Sequence, residues 1–342
     1  MQGHIDKISK KIDFDITRKP IGATQWDFIC SIPEAEESLL RNYTKGPETL
    51  FIYPTTRCSR NCEKCSLKEK VPMDIDITLI KELIIIQKSI ALKYVVLDGD
   101  VLMSRNITEL LNFLADNKIQ CSINSYSKIN EEDLLYLKNK ISKIQFHMTS
   151  VKETEYNHDI EETLELCKKH DIYVAIIFSI DLDNYNQIED MIAFCKEFNV
   201  KQFSFMRLNF CPFDQTNTKF MDSENYLSLS QKLVDLRQNE KSMHITSNDA
   251  IWKGCGACAI SCTIMADGEV HPCAFLPLHT GNVYQDDLTD IWKSKIFNEI
   301  RTSKLAGKCG NCKYKFHCKG CRAVAYLQTG DYLASDKGCW IE

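Results

Sequence analysis

Three cysteines fall within eight residues of this chain. Cys58, Cys62 and Cys65 lie in Thr55-Thr56-Arg57-Cys58-Ser59-Arg60-Asn61-Cys62-Glu63-Lys64-Cys65, a C-x3-C-x2-C spacing. Thiolates are soft ligands that select zinc or iron–sulfur clusters. A structural zinc usually takes four protein ligands, and only three stand together here. Three thiolates can instead hold a 4Fe–4S cluster and leave one iron without a protein ligand. Such an iron could bind a small chelating molecule and deliver one electron to it. The spacing alone leaves zinc and iron–sulfur both open.

A second set begins near the last quarter of the chain. Cys255, Cys258, Cys262 and Cys273 come first, then Cys309, Cys312, Cys318, Cys321 and Cys339. Asp267-Gly268 is a hairpin signal, and the hairpin would bring Cys273 back beside the earlier cysteines. Taken by themselves, Cys309, Cys312, Cys318 and Cys321 read as one zinc site. The other five cysteines, Cys30, Cys121, Cys167, Cys195 and Cys211, are scattered singly and read as small buried hydrophobes. Seventeen cysteines with no export signal at Met1-Gln2-Gly3-His4-Ile5-Asp6 point to metal or redox chemistry, not disulfides, and to a cytoplasmic location.

These ligands need a frame, and the stretch from Glu48 to Glu240 supplies its pattern. Short β-branched runs at Leu50–Tyr53, Tyr94–Leu97, Ile119–Asn124, Lys143–Met148, Ile172–Ser179 and Gln202–Leu208 predict six strands. Amphipathic stretches near 78–90, 106–117, 131–139, 160–170, 186–198 and 223–239 predict the helices that follow them. Alternation without hairpin signals implies parallel strands and right-handed crossovers. Six units suit an α/β fold of the partial barrel type, whose chemistry sits at the C-terminal ends of the strands. The first cysteine cluster falls there, just after the first strand. Nine of the 13 glycines follow residue 253, which marks a second, loop-dominated module. The expected division is 1–47, 48–247 and 248–342, with the boundary near Asn248.

Composition narrows the partners. The 42 Lys and Arg against 47 Asp and Glu give a net charge of −5, which argues against nucleic acid or an acidic membrane surface as the partner. The densest apolar run, Val174 to Ile180, is far too short to span a bilayer.

The triad after the first strand of a six-unit barrel resembles the radical S-adenosylmethionine superfamily. Three further points carry the resemblance. Asp98-Gly99-Asp100 after strand two stands where the family has Gly-Gly-Glu, whose carboxylate receives the methionine amino group. Asn124-Ser125 after strand three stands where the family often has Asn-Gly, and Arg207 after strand six matches a recurrent Arg-Leu. Two departures are plain: the Asp-Gly-Asp itself, and His147-Met148-Thr149-Ser150 in place of Ser-Leu-Asp-Gly after strand four. Alone, His147 reads as a core histidine, and Asp98 and Asp100 as turn residues. The cysteine order from Cys255 through Gly268 and Cys273 to Cys339 resembles the SPASM extension of these enzymes. The spacing of Cys318 and Cys321, shorter by one residue than the usual pattern, resembles a subset that includes haem-pathway and peptide-cofactor maturation enzymes.

What the resemblance implies is a partial (β/α)6 barrel followed by a small cysteine-rich domain. One 4Fe–4S cluster on Cys58, Cys62 and Cys65 would cleave S-adenosylmethionine, with Asp98, Gly99, Asp100, Asn124, Ser125 and Arg207 contacting it. Up to two auxiliary clusters would be held, one by Cys309, Cys312, Cys318 and Cys339. The other would take Cys255, Cys273, Cys321 and either Cys258 or Cys262. The expected activity is oxidative modification of a peptide or protein side chain, with ferredoxin or flavodoxin as electron donor. Oxidative decarboxylation of tetrapyrrole propionates is the alternative, and a non-catalytic iron–sulfur electron-transfer protein is the alternative of another class. Residues 1–47, too short for the peptide-recognition domain of some peptide-modifying relatives, are expected to pack on the barrel through Trp26, Phe28 and Ile32.

Overall fold

The structure, a computed structural model, describes residues 45–59, 71–151, 155–208, 219–247, 250, 254–316 and 318–341. Cys30, Cys62, Cys65, Cys211 and the packing expected of Trp26, Phe28 and Ile32 lie outside the described residues. Seven parallel strands follow one another in spatial order: β1 (Thr49–Ile52), β2 (Tyr94–Leu97), β3 (Gln120–Ser125), β4 (Lys143–Met148), β5 (Val174–Ser179), β6 (Gln202–Met206) and β7 (His244–Ser247). The crossovers carry α1 (Ile77–Ile90), α2 (Ile107–Asp116), α3 (Glu131–Lys138), α4 (Glu155–Lys169), α5 (Ile188–Glu197) and α6 (Ser223–Asn239). β5 is buried at every position because its sequence, VAIIFS, is nearly continuous in apolar residues, as a parallel strand covered on both faces requires. In α2 the buried residues Ile107, Leu110, Leu111 and Leu114 form one stripe against the sheet. Asp76, Asn130 and Asp222 cap α1, α3 and α6 by accepting first-turn N–H groups, so each helix starts at a fixed distance from its strand. Cys121, Cys167 and Cys195 are buried in this core, where burial pushes the first two thiols up to about 12. They behave as hydrophobes, as expected.

The sheet is larger than the six expected strands. β7 adds one at the far edge. At the near edge β8 (Ser261–Ile264) pairs in parallel with β1, Thr49 against Ser261 through Ile52 against Ile264. β9 (Val270–His271) then pairs antiparallel to β8, giving the hairpin that Asp267-Gly268 predicts. Gly268 sits at φ +84°, with the Asn282 and Tyr284 side chains where a Cβ would stand. The first part of the cysteine-rich segment therefore continues the barrel's own sheet. Beyond it come four short helices: α7 (Leu288–Ile291), α8 (Lys295–Arg301), α9 (Gly307–Asn311) and α10 (Arg322–Thr329). Among the described residues no helix is long and apolar enough to cross a membrane.

Candidate metal centres

Cys58 is exposed at the C-terminal end of β1, and its neighbours are tied down on both sides. Thr55 pairs with Asp74 across the base of the loop, and the Thr55 hydroxyl donates to the Met73 carbonyl at 2.9 Å. Arg57 forms an ion pair with Asp74. Burial alone would raise the Asp74 carboxyl, but hydrogen bonds from Arg57, Thr55 and the Arg105 N–H hold it below its usual range. The described chain is thus clamped on either side of the cysteine segment, at Thr55–Arg57 after β1 and at Met73–Asp74 before α1.

On its other side the loop is held by Asp100. One oxygen of that carboxylate accepts from the Ser59 N–H at 2.8 Å and the Ser59 hydroxyl at 2.6 Å, and the other accepts from the Ser127 hydroxyl at 2.9 Å. Asp98 faces the next strand. It accepts from the Gly99 N–H at 2.7 Å, the Tyr126 hydroxyl at 2.8 Å and the Asn124 amide at 2.9 Å, and Gln145 steadies the Asn124 carbonyl at 2.7 Å. Gly99 has φ +84°, and a Cβ there would stand 3.2 Å from the Tyr53 ring; the turn lets both carboxylates project from one short loop. The Ser125 hydroxyl donates to the Ser127 carbonyl at 3.0 Å. His147 is buried and stacks on Tyr126 with ring centroids 5.1 Å apart. Its burial, only partly opposed by Asp98, lowers its pKa to about 4, so the ring is neutral at pH 7.

The strand ends therefore gather Cys58, Asp98, Gly99, Asp100, Asn124 and Ser125 into one hydrogen-bonded mouth. Arg207 points elsewhere: its guanidinium engages Asp336 of the C-terminal segment. Ser59, Ser127, Tyr126 and Asp336 were not singled out in the sequence. Ser59 adjoins Cys58 and Asp336 stands three residues before Cys339, but neither has a spacing signature of its own.

In the C-terminal segment Cys309, Cys312, Cys318 and Cys339 line one pocket together with Arg207, Lys308 and Asp336. Cys321 is not among its lining residues, so the pocket groups Cys339 with the first three cysteines of the run in place of the nearer Cys321. Among the described residues no three His, Cys, Asp or Glu side chains meet as a single-ion site. N–H groups are already aimed at the sulfurs: Tyr314 N–H to Cys312 Sγ at 3.4 Å, Gly320 N–H to Cys318 Sγ at 3.3 Å, and Arg322 Nη2 to Cys309 Sγ at 3.8 Å. Donors of this kind fit cluster-bound thiolates and tune their potential.

Cys258, Cys262 and Cys273 form the other group around the β8–β9 hairpin. Cys258 has φ +63° in the turn before β8 and lies within electrostatic reach of Cys255, Cys273 and Cys262. Arg301 donates to the Cys258 carbonyl at 2.8 Å and to the Trp292 carbonyl at 2.9 Å, with its guanidinium 4.6 Å from the Trp292 ring centre. Burial pushes the Cys273 thiol up to about 12, that of Cys339 to about 11, and those of Cys258 and Cys318 well above the usual value. Sulfurs this far from water ionise readily only when a bound cation supplies the opposing charge.

Comparison with known proteins agrees with this layout. Residues 255–321 match the SPASM family, described as an iron–sulfur cluster-binding domain. An AdoMet-dependent heme synthase from Methanosarcina barkeri is 39% identical over 117 residues, covering 34% of each chain. The mycofactocin maturase MftC of Mycobacterium tuberculosis is 37% identical over 82 residues, covering 22% of this chain and 21% of that one. These matches span about a third or less of the relatives' length. The structure of SuiB from Streptococcus suis bound to the precursor peptide SuiA superposes with a TM-score of 0.69 at 18% identity, covering 89% of this chain and 78% of that chain. Residues 255–321 therefore carry a SPASM-type iron–sulfur domain, and the fold that holds it is shared with SuiB.

Proposed function

We propose that the chain is an enzyme that reductively cleaves S-adenosylmethionine at a 4Fe–4S cluster held by Cys58, Cys62 and Cys65. Cys309, Cys312, Cys318 and Cys339 hold a second 4Fe–4S cluster. Cys255, Cys273, Cys321 and Cys258 hold a third; Cys258 lies in a turn open to the other cysteines, whereas Cys262 is fixed within β8. The observation that carries this reading is the pocket that takes Cys339 and leaves Cys321 aside, the pairing a two-cluster module needs and a single local zinc site does not. When bound, the open-iron cluster supplies one-electron reduction of S-adenosylmethionine, and the auxiliary clusters supply a route for the electron released on substrate oxidation. The chain's own part at the mouth is to hold Cys58 in place through Ser59 and Asp100 and to offer carboxylate and amide groups to the cofactor's methionine end. The substrate is a peptide or protein side chain. Support comes from the fold shared along most of the chain with SuiB, solved with a precursor peptide. A one-electron carrier such as ferredoxin or flavodoxin is the partner.

A second substrate reading has its own support. The 39% identity to a heme synthase favours decarboxylation of tetrapyrrole propionates. The test is anaerobic reconstitution, addition of dithionite, and detection of 5′-deoxyadenosine, which Cys58→Ala, Cys62→Ala or Cys65→Ala should abolish. Formation at the wild-type rate in the triple variant would overturn the radical reading, and iron retained without any cleavage would leave an electron-transfer protein. Mass spectrometry then separates the substrates: carbon dioxide and two hydrogens lost per propionate of an iron tetrapyrrole, or two hydrogens alone lost from a peptide.

A further inference from the structure

Arg207 follows β6, and its guanidinium reaches out of the barrel into the C-terminal segment. It meets Asp336, 129 residues away, through two parallel contacts: Nη1 to Oδ1 at 3.2 Å and Nη2 to Oδ2 at 2.6 Å. Each side chain is only 3% exposed. The same carboxylate oxygens accept the backbone N–H of Cys321 at 3.0 Å and of Gly338 at 3.0 Å. The guanidinium lies 4.2 Å from the centre of the Tyr226 ring, and Tyr226 meets Trp340 edge-on at 4.8 Å. Position 338 has no room for a side chain, since a Cβ there would stand 2.1 Å from Arg207 Nη1.

A buried ion pair is weak evidence for stability, because desolvation offsets most of its attraction unless every lone pair is used. Here the carboxylate accepts four contacts, and two come from backbone beside cysteines. Arg207 and Asp336 also line the pocket of Cys309, Cys312, Cys318 and Cys339. We propose that Arg207 and Asp336 are positioning residues of this cysteine pocket and not contacts of S-adenosylmethionine. The pair fixes the turn 336–339 that presents Cys339 to one cluster, and through the Cys321 N–H it fixes the ligand that crosses to the other. It also sets the charge beside the first cluster. Asp336 neutralises Arg207, and an unbalanced cation there would stabilise the reduced, more negative cluster and raise its potential.

The inference rests on the cluster assignment proposed above, and one protein tests both separately. In the full chain lacking Cys58, Cys62 and Cys65, about eight irons should remain, the content of two 4Fe–4S clusters. Asp336→Asn in that background keeps the shape but unbalances Arg207. It should shift the potential of one cluster upward and change its paramagnetic resonance signature without changing iron content. With the triad intact, Arg207→Lys, which keeps the charge and loses the fork, should leave S-adenosylmethionine affinity within about twofold and shift the cluster signature less than Asp336→Asn. Unaltered cluster spectra together with a tenfold loss of S-adenosylmethionine affinity in Arg207→Lys would return Arg207 to the cofactor site and overturn the inference. Zinc in place of iron in the parent protein would overturn the cluster assignment itself. If Asp336→Asn does not accumulate, Arg207→Lys alone still sets cluster signature against S-adenosylmethionine affinity.

Discussion

The mouth of the barrel and the C-terminal segment present their cysteines in opposite ways. Cys58 is exposed beyond the end of β1, whereas of the C-terminal cysteines Cys258, Cys262, Cys309 and Cys318 are buried and Cys255, Cys273, Cys312, Cys321 and Cys339 half-buried. At the mouth, rigid parallel strands with their own large core do the positioning. Ser59, Asp100, Asp98 and Asn124 then transmit that rigidity to the loop through hydrogen bonds. The C-terminal helices α7 to α10 are four to eight residues long, below what holds a helix in water unaided. Their segment is tied together by the buried arginines Arg207, Arg301 and Arg322, which engage Asp336 and backbone carbonyls. One region can be accessible because its frame does not need the ligand. The other has little frame of its own, and under the proposed ligation its clusters would supply part of it.

Emptying each region in turn should break this comparison most sharply. Removing Cys58, Cys62 and Cys65 should abolish 5′-deoxyadenosine formation while leaving the melting transition and proteolytic resistance of the chain nearly unchanged. Removing Cys309 and Cys312 from the triad-deficient protein should lower iron from about eight to about four per chain. It should also open the segment 304–340 to protease. Iron counting with limited proteolysis reads both effects. Equal loosening by the two sets of substitutions would erase the distinction.

His147 sharpens the contrast from the barrel side, where a buried group needs no metal to stay neutral. Its folded pKa is depressed to about 4 from 6.5 by burial. The unfolded chain therefore takes up the proton first as pH falls, and the stability tied to the neutral ring is present above about 6.5 and lost on the way down to about 4. By pH 5 the loss amounts to about 2 kcal/mol. His147→Gln should flatten the denaturant midpoint against pH between 6.5 and 5. An unchanged slope would mean that His147 is protonated in the folded protein or does not control this window.

A smaller effect is expected at Asp100, which has two tasks. Three donors from Ser59 and Ser127 already occupy it, and a carboxylate has room for one more. Asp100→Ala should weaken S-adenosylmethionine binding about tenfold, the scale of one charge-assisted hydrogen bond. Ser59→Ala, which removes one clamp contact and leaves the carboxylate, should weaken it less. Equal effects from the two variants would make Asp100 purely a clamp for the Cys58 loop, and no effect from either would make the segment a simple turn.

Most of the strands that carry the mouth were legible as short apolar or alternating runs, each with its own helix. Tyr94–Leu97 and Lys143–Met148 begin and end where the pattern places them. β5 starts at Val174 and not Ile172, since the Ile172 N–H is still bonded to Cys167 at the helix exit. β7 and β8 went unread for different reasons. β7 is a four-residue strand, HITS, with little alternation to detect. β8 pairs with a strand some two hundred residues earlier, and nothing local announces a long-range parallel partner. The cysteine groups were legible in their order. Arg207 was legible as a position but not as a partner of Asp336, because a pair 129 residues apart leaves no periodic trace.

The smallest effect belongs to a cysteine that does neither job. Cys195 lies on the buried stripe of α5 with Ile188, Met191 and Ile192, and burial pushes its thiol far above the usual range. Burial alone sets its environment, in contrast to Cys258, which feels Cys255, Cys273 and Cys262. Cys195→Ala removes one buried sulfur from a packed core and should cost about 1 kcal/mol, the low end for truncating a core side chain. Iron content and 5′-deoxyadenosine formation should not change. Denaturant titration measures the first effect, and iron analysis of the same preparation measures the second. Loss of iron on this substitution would place a ligand inside the barrel's hydrophobic core and undo the separation between cysteines that pack and cysteines that bind.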